Sequence, residues 1–195
     1  MSADITLRKG LTIPMSGIAD LNISSADSAD NYVVYPSDFH GVVPKMLLKE
    51  GETVLQGQPI FYSKANPGIK FVSPVSGTLT KIERGAKRRI MALSITSEGE
   101  HKAIVHKLAN LDELFAADVR KHLLESGCWP FIKQRPYDVI ADPSSTPKAI
   151  FISGFNTAPL AADVPFLLSS QKEDFQNGIN ALAKLAPKVH LSVDA

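Results

Sequence analysis

The sequence predicts an α+β chain: an all-β part, then a helical link, then the opening β-α-β unit of an α/β domain. Three observations carry this. Between residues 5 and 96, short apolar runs are broken by Gly, Pro, Asn and Asp at the spacing of small all-β domains. Beyond Glu98 the period lengthens to that of a helix in NLDELFAADVRKHLLESGCW. Two continuous apolar runs, KAIFISGF and KVHLSV, then bracket an amphipathic segment, as buried parallel strands bracket a crossover helix.

Strands are predicted over residues 32–35, 58–62, 70–72, 77–82 and 89–96. Two segments read as one design used twice. GVVPKMLLKEGETVLQGQPIFY runs from an apolar strand through a charged turn with Gly51 to a second apolar strand, and SGTLTKIERGAKRRIMALSI repeats this loosely around Gly85. The pseudo-repeat predicts two interlocked half-barrels, each covering the apolar face that the other cannot bury alone. A helix is predicted over 112–126. Its apolar positions are Leu111, Leu114, Phe115, Val119 and Leu123, with Asp112 as N-cap or first-turn acid and Gly127 as the stop.

FIKQRPYDVIADPSSTPK, with Pro136, Pro143 and Pro147, reads as an extended connector. KAIFISGF is a buried strand ending at Gly154, and TAPLAADVPFLLSS is a loop. SSQKEDFQNGINALAKLA is a helix capped by Ser169 or Ser170, with Glu173 near the capping-box position and an apolar face of Phe175, Ile179, Leu182 and Leu185. KVHLSV is the second buried strand, reached by a right-handed crossover. The expected division is 1–100 for the β domain, 101–147 for the helix and Pro-rich connector, and 148–195 for an incomplete α/β start. One crossover helix cannot cover both faces of a parallel pair, so the sequence is expected to be a fragment of a longer α/β domain.

Composition removes several classes of function. With 44% apolar residues there is enough for a core, and Lys+Arg 21 against Asp+Glu 20 leaves +1, which gives no whole-chain attraction to nucleic acid or acidic membrane. The single Cys128 excludes an intramolecular disulfide and any Cys-only zinc or iron–sulfur site within this sequence, and suits a reducing compartment. The first twenty residues lack the apolar core of a signal peptide, and no run approaches the ~20 apolar residues of a membrane helix. The chain is expected to be soluble, touching a membrane only through partners.

The motifs narrow this further. KEGETVLQGQPIFY has the form Gly-acid-x-Val-x-x-Gly-Gln-x-Ile, and FVSPVSGTLTKI the form x-x-Pro-x-x-Gly-x-Leu. Both resemble the flanks of the biotinyl/lipoyl barrel-sandwich fold, whose carrier versions present a lysine between them. Here SKANPGIK intervenes: Lys64 and Lys70 flank an Asn-Pro-Gly turn outside any carrier triplet, which favours a structural barrel without a swinging arm. ERGAKRR sets Arg84, Lys87, Arg88 and Arg89 around a Gly turn. Such a run reads either as a solvated turn or as a dock for an acidic surface or phosphate.

The loop SGFNTAPLAAD, containing Asn156 and Thr157, follows a strand at the sheet end where α/β folds bind ligands, yet it lacks G-x-G-x-x-G and a P-loop. His40, His101, His106, His122 and His190 have no metal-type spacing, and no Ser-His-Asp or paired-carboxylate set can be assigned.

Taken in order, ITLRKGLTIPMSG, NPGIKFVSPVSGTLTKIERGAKRRI, LLESGCWPFIKQRPYD and KAIFISGFNTAPLAAD resemble the N-terminal part of the A subunit family of the sodium-translocating NADH:quinone oxidoreductase. The resemblance covers essentially the whole chain and somewhat under half of a usual member. It implies a non-carrier barrel-sandwich hybrid followed by the start of a Rossmann-like α/β domain of complex I flavoprotein type that has lost its phosphate-binding glycines.

The resemblance further implies a peripheral subunit on the cytoplasmic side of the bacterial inner membrane. The implied complex passes electrons from NADH to ubiquinone and pumps sodium. Its flavins and iron–sulfur centre belong to other subunits, and no cofactor or metal is bound by this chain. The partners implied are those subunits and ubiquinone, with no nucleic acid. Catalytic acids or bases are not assigned. Residues expected to touch partners or a quinone headgroup are Arg84, Lys87, Arg88, Arg89 and Arg135, with Asn156 and Thr157 in the loop over 156–160. The alternatives are the barrel-bearing C subunit of an Rnf-type electron-transport complex, a carrier acylated at Lys64 or Lys70, and a pure scaffold.

Overall fold

A computed structural model describes residues 16–17, 19–99, 102–107, 110–158 and 160–193; the expectations for residues 5–15 and for His101 lie outside these. Strands β1 (Asn31–Val34), β2 (Pro44–Met46), β3 (Thr53–Val54), β4 (Pro59–Ser63), β5 (Lys70–Val72), β6 (Gly77–Arg84) and β7 (Ile90–Ser97) build two sheets. One has the order β1-β7-β6-β3 and the other β2-β4-β5, all neighbours antiparallel.

Alternation puts Leu93 and Ile95 of β7 wholly out of water with Leu79 of β6, while the consecutive Ile60 and Phe61 of β4 are both buried where the β4–β5 register shifts. Burying each such side chain contributes about 1.5–3 kcal/mol. The Phe61 and Phe71 rings stack at 4.5 Å, and Phe39 meets Phe71 edge-on at 4.6 Å, which closes one end of the core.

The pseudo-repeat is real but unequal. Its first copy places β2 and β4 in one sheet and sends β3 into the other, where Thr53 faces Thr78; its second copy keeps β6 and β7 together. The interlock is held by backbone bonds from Gly51 N to Leu79 O (2.8 Å) and Leu79 N to Glu52 O (2.9 Å). The Ser-Pro turn of FVSPVSG is fixed from inside: the buried Ser73 hydroxyl donates to Val75 O at 2.6 Å, and the Ser73 backbone exchanges bonds with Gln58 O and Gly57 N.

Helix α1 (Ala116–Glu125) starts later than expected, because residues Leu111–Glu113 form a separate 3-10 turn capped by Asn110, whose Oδ1 accepts from Asp112 N. Asp118, not Asp112, holds the start of α1 by accepting from Phe115 N at 3.0 Å. Phe115 is therefore the capping position rather than part of the helical stripe, and it stays exposed. Gly127 does end the helix, in the left-handed region at φ 74.

The Pro-rich connector is not simply extended: β8 (Lys133–Gln134) and β9 (Val139–Ile140) pair as a short antiparallel hairpin. The expected loop over 157–170 contains a short helix α2 (Val164–Leu168), capped by Asp163 Oδ1 accepting from Phe166 N at 2.7 Å, with Pro165 in its first turn. Ser169 spends its hydroxyl on Phe166 O, so α3 (Lys172–Ala183) begins without the predicted serine cap.

Strands β10 (Ile150–Ser153) and β11 (Val189–Ser192) pair in parallel, as expected. They are not buried, however: α3 packs on β11, while Phe151 remains 76% exposed and Leu191 half-exposed. The core crosses the linear divisions, since Val119, Trp129 and Leu185 belong to the same apolar cluster as the β-domain residues. Lys184 Nζ donates to Leu114 O at 2.8 Å, tying α3 to the residues before α1.

Candidate functional site

The β6–β7 hairpin ends in the basic turn singled out by charge. Gly85 N donates to Arg89 O at 2.8 Å and Arg89 N to Ala86 O at 3.2 Å, so the turn closes on its own backbone. Lys87 and Arg88 both lie in the left-handed region, at φ 55 and φ 59. That conformation costs a non-glycine residue roughly 1–2 kcal/mol, and two in succession hold the side chains outward. A Cβ at Gly85 would meet Met91 Cγ at 3.1 Å, a flexible side chain that can give way.

The electrostatics leave these cations free. Glu83 is taken by Lys81 at 2.6 Å, a contact that raises the Lys81 pKa above its ordinary value, and Glu50 accepts from Ile82 N at 2.6 Å. Arg84, Lys87, Arg88 and Arg89 are exposed and have no ion-pair partner among the described residues. Arg84 Nη1 reaches Arg88 O at 3.4 Å, which joins the two ends of the turn.

Arg84 also lines a surface cleft of about 550 Å³ whose walls are Met46, Leu47, Leu48, Lys49, Glu50 and Ile82. Sequence reasoning missed this cleft. The apolar run MLL looked like strand interior, whereas Leu47 is half-exposed where the loop meets β6. Arg84 at a cleft of mixed polar and apolar lining, with Lys87, Arg88 and Arg89 in the same turn, suits an acidic surface that carries apolar residues of its own, or a ligand with a carbonyl or anionic head and an apolar body.

The remaining predicted residues are not part of this surface. Arg135 sits in the β8–β9 turn, highly exposed, with Asp138 at 3.7 Å, and no hydrogen bond or ion pair joins it to the basic turn. Asn156 uses its Oδ1 to accept from Ala158 N at 3.0 Å, an Asx turn that shapes the loop after β10. Thr157 is exposed. Gly154 continues the ladder, donating to Ser192 O at 2.7 Å, and a Cβ there would approach that oxygen to 2.9 Å. His190 stacks on Phe151 at 4.9 Å, and among the described residues no three His, Cys, Asp or Glu side chains could hold a metal ion.

With that geometry in view, the comparisons with known proteins are specific. Residues 5–98 match the family described as NqrA N-terminal barrel-sandwich hybrid domain, and residues 114–195 match NqrA second alpha/beta domain. Among curated proteins, the A subunit of the Na(+)-translocating NADH-quinone reductase from Actinobacillus succinogenes is 35% identical over 189 residues, covering 96% of this chain and 43% of that protein. The proteins of the same name from Shewanella amazonensis (36%; 96% and 43%) and Tolumonas auensis (38%; 93% and 41%) are similar to it over the same extent. The chain thus spans about two fifths of the length of the curated relatives it matches.

Proposed function

The chain belongs to the NqrA family, the A subunits of the Na(+)-translocating NADH-quinone reductase, and from that premise we propose that it serves as a peripheral subunit of such a complex. In this reading the complex transfers electrons from NADH to ubiquinone and translocates sodium, while this chain supplies docking surfaces and part of the quinone-side environment. Flavins and the iron–sulfur centre sit in other subunits, and no side chain here acts as a catalytic acid or base. The protein lies on the cytoplasmic side of the bacterial inner membrane. No helix among the described residues is long and apolar enough to cross a membrane, which supports attachment through partners. The Rnf-type and carrier alternatives gain nothing from the matches, both of which are to NqrA domains.

The observation that carries the docking role is the exposed quartet Arg84, Lys87, Arg88 and Arg89, without ion pairs among the described residues, on a strained turn whose Arg84 borders a cleft of mixed lining. Uncompensated charge beside apolar surface speeds encounter with an acidic partner and fixes its register. Reversing Arg88 and Arg89 to Glu in the assembled complex is expected to weaken retention of this protein about tenfold, equivalent to about 1.4 kcal/mol, with a parallel fall in sodium-dependent quinone reduction. Co-purification and quinone reductase assays read both. Unchanged assembly together with unchanged activity would remove the turn from the interface.

A further inference from the structure

A second cleft, of about 410 Å³, opens where α1 meets the end of the β4–β5 hairpin. Lys70 contributes from the hairpin, and Ala117, Arg120, Lys121, Leu124 and Glu125 from the helix. Arg120 and Lys121 bring two cations on α1 beside Lys70, fifty residues earlier in the chain. None of the three has an ion-pair partner among the described residues, and Glu125 pairs with none of them. The Nε of Arg120 is buried with no acceptor. Its guanidinium carries further N–H donors, none of them in an ion pair among the described residues, and Arg120 borders the cleft.

We propose that this cleft binds a small organic phosphate monoester. The charge argument selects the headgroup. Three cations against one carboxylate give a local balance of +2, and a phosphate monoester carries about −1.5 to −2 at pH 7, whereas a carboxylate would neutralise only half. The Arg120 guanidinium supplies a planar set of donors at the cleft wall, and Lys70 and Lys121 supply point charges. The volume selects the body. It falls within the roughly 300–1,000 Å³ of small-molecule sites and exceeds what one phosphate fills, and Leu124 and Ala117 offer apolar wall to the remainder. The same hairpin in carrier domains would have to be free to move; here Lys70 is paired within β5 against Tyr62 and faces α1.

The test is titration of phenyl phosphate into the full 195-residue chain at low salt, followed by calorimetry and by amide shifts on α1. Saturable binding is expected with Kd of about 0.1–1 mM, weakening as salt rises and tighter than that of inorganic phosphate. Arg120→Gln should weaken binding at least tenfold, and Lys70→Gln and Lys121→Gln about three- to fivefold each. Lys121 is an exposed helix position, so its variant reads the site even if Arg120→Gln alters the fold. Phosphatidate vesicles form a second arm. Binding to them that depends on Arg120, without binding of phenyl phosphate, overturns the small-molecule assignment and makes a lipid headgroup the source of the phosphate. Saturable binding in neither arm, or equal affinity in the wild type and the Arg120 and Lys121 variants, overturns the site.

Discussion

Gly77→Ala is expected to leave the chain without its two N-terminal sheets. A Cβ at Gly77 would stand 2.0 Å from Thr96 O, 2.9 Å from Thr96 C and 3.0 Å from Ser97 Cα. All three are backbone atoms of β7, and Gly77 is itself buried between Val54 of β3 and Ser97 of β7. No side chain can swing aside, so β6 would have to move bodily away from β7 and expose Leu79 and Ile95. Such a rupture costs about 4 kcal/mol or more, a large share of the 5–15 kcal/mol that holds a typical domain together. Urea unfolding followed by circular dichroism reads the loss. Gly85→Ala is the control: its Cβ would meet the flexible Met91 side chain rather than backbone, so its midpoint should move little. If Gly77→Ala unfolds within about 1 kcal/mol of wild type, the close approach has been misread.

Trp129→Ala should cost about 3–5 kcal/mol, the range for emptying a large aromatic from a core. Trp129 is buried at the crossing of three parts of the molecule. It belongs to the cluster that contains Phe71 and Leu185, and its Nε1 donates to Ala141 O at 2.8 Å, which anchors the end of the β8–β9 hairpin. Trp129→Phe keeps much of the apolar volume but strands that carbonyl, so it should fall between, at about 1–3 kcal/mol. The order wild type, Phe, Ala in denaturant midpoint is the expected result. Amide exchange adds a spatial check, because protection should fall in β5 as well as in β8 and β9. Loss confined to the C-terminal residues would argue that the aromatic does not bind the parts together.

Much of the fold was legible because its punctuation is local. Strand β5 coincides with the predicted 70–72, and β1, β4, β6 and β7 shift by one or two residues, since Gly51, Gly57, Pro74 and Gly85 mark turns whatever surrounds them. The parallel pairing of β10 with β11 followed from length and apolar continuity. What failed depended on competition between local signals. Three prolines masked the β8–β9 hairpin, Asp163 caps a short helix inside the expected loop, the Ser169 hydroxyl turns back to Phe166 O instead of capping α3, and Phe115 kept an apolar identity while serving as a helix boundary.

The sites were less legible than the fold. The charge run at residues 84–89 was visible because its cations are neighbours in sequence. The walls beside Arg84 come from residues 46–50, and Lys70 meets Arg120 only after the hairpin and α1 pack together. No periodicity encodes such meetings.

The pairing of β1 with β7 has a consequence for how the molecule comes into being. Asn31 lies opposite Thr96, and their side chains hydrogen-bond across 65 positions of sequence at 2.8 Å. Closing so long a loop adds only a logarithmic entropy cost, yet non-local pairings are what slow a fold down. During synthesis β1 would emerge early and wait, while β6 and β7 could form their hairpin as soon as both were free of the ribosome. Pulse-labelled exchange during refolding should therefore protect β6 and β7 before β1, and simultaneous protection would argue against this order. The cluster is completed later still, when Trp129 and Leu185 arrive. Assembly runs outward from the β6–β7 hairpin, and β1 is seated only after it.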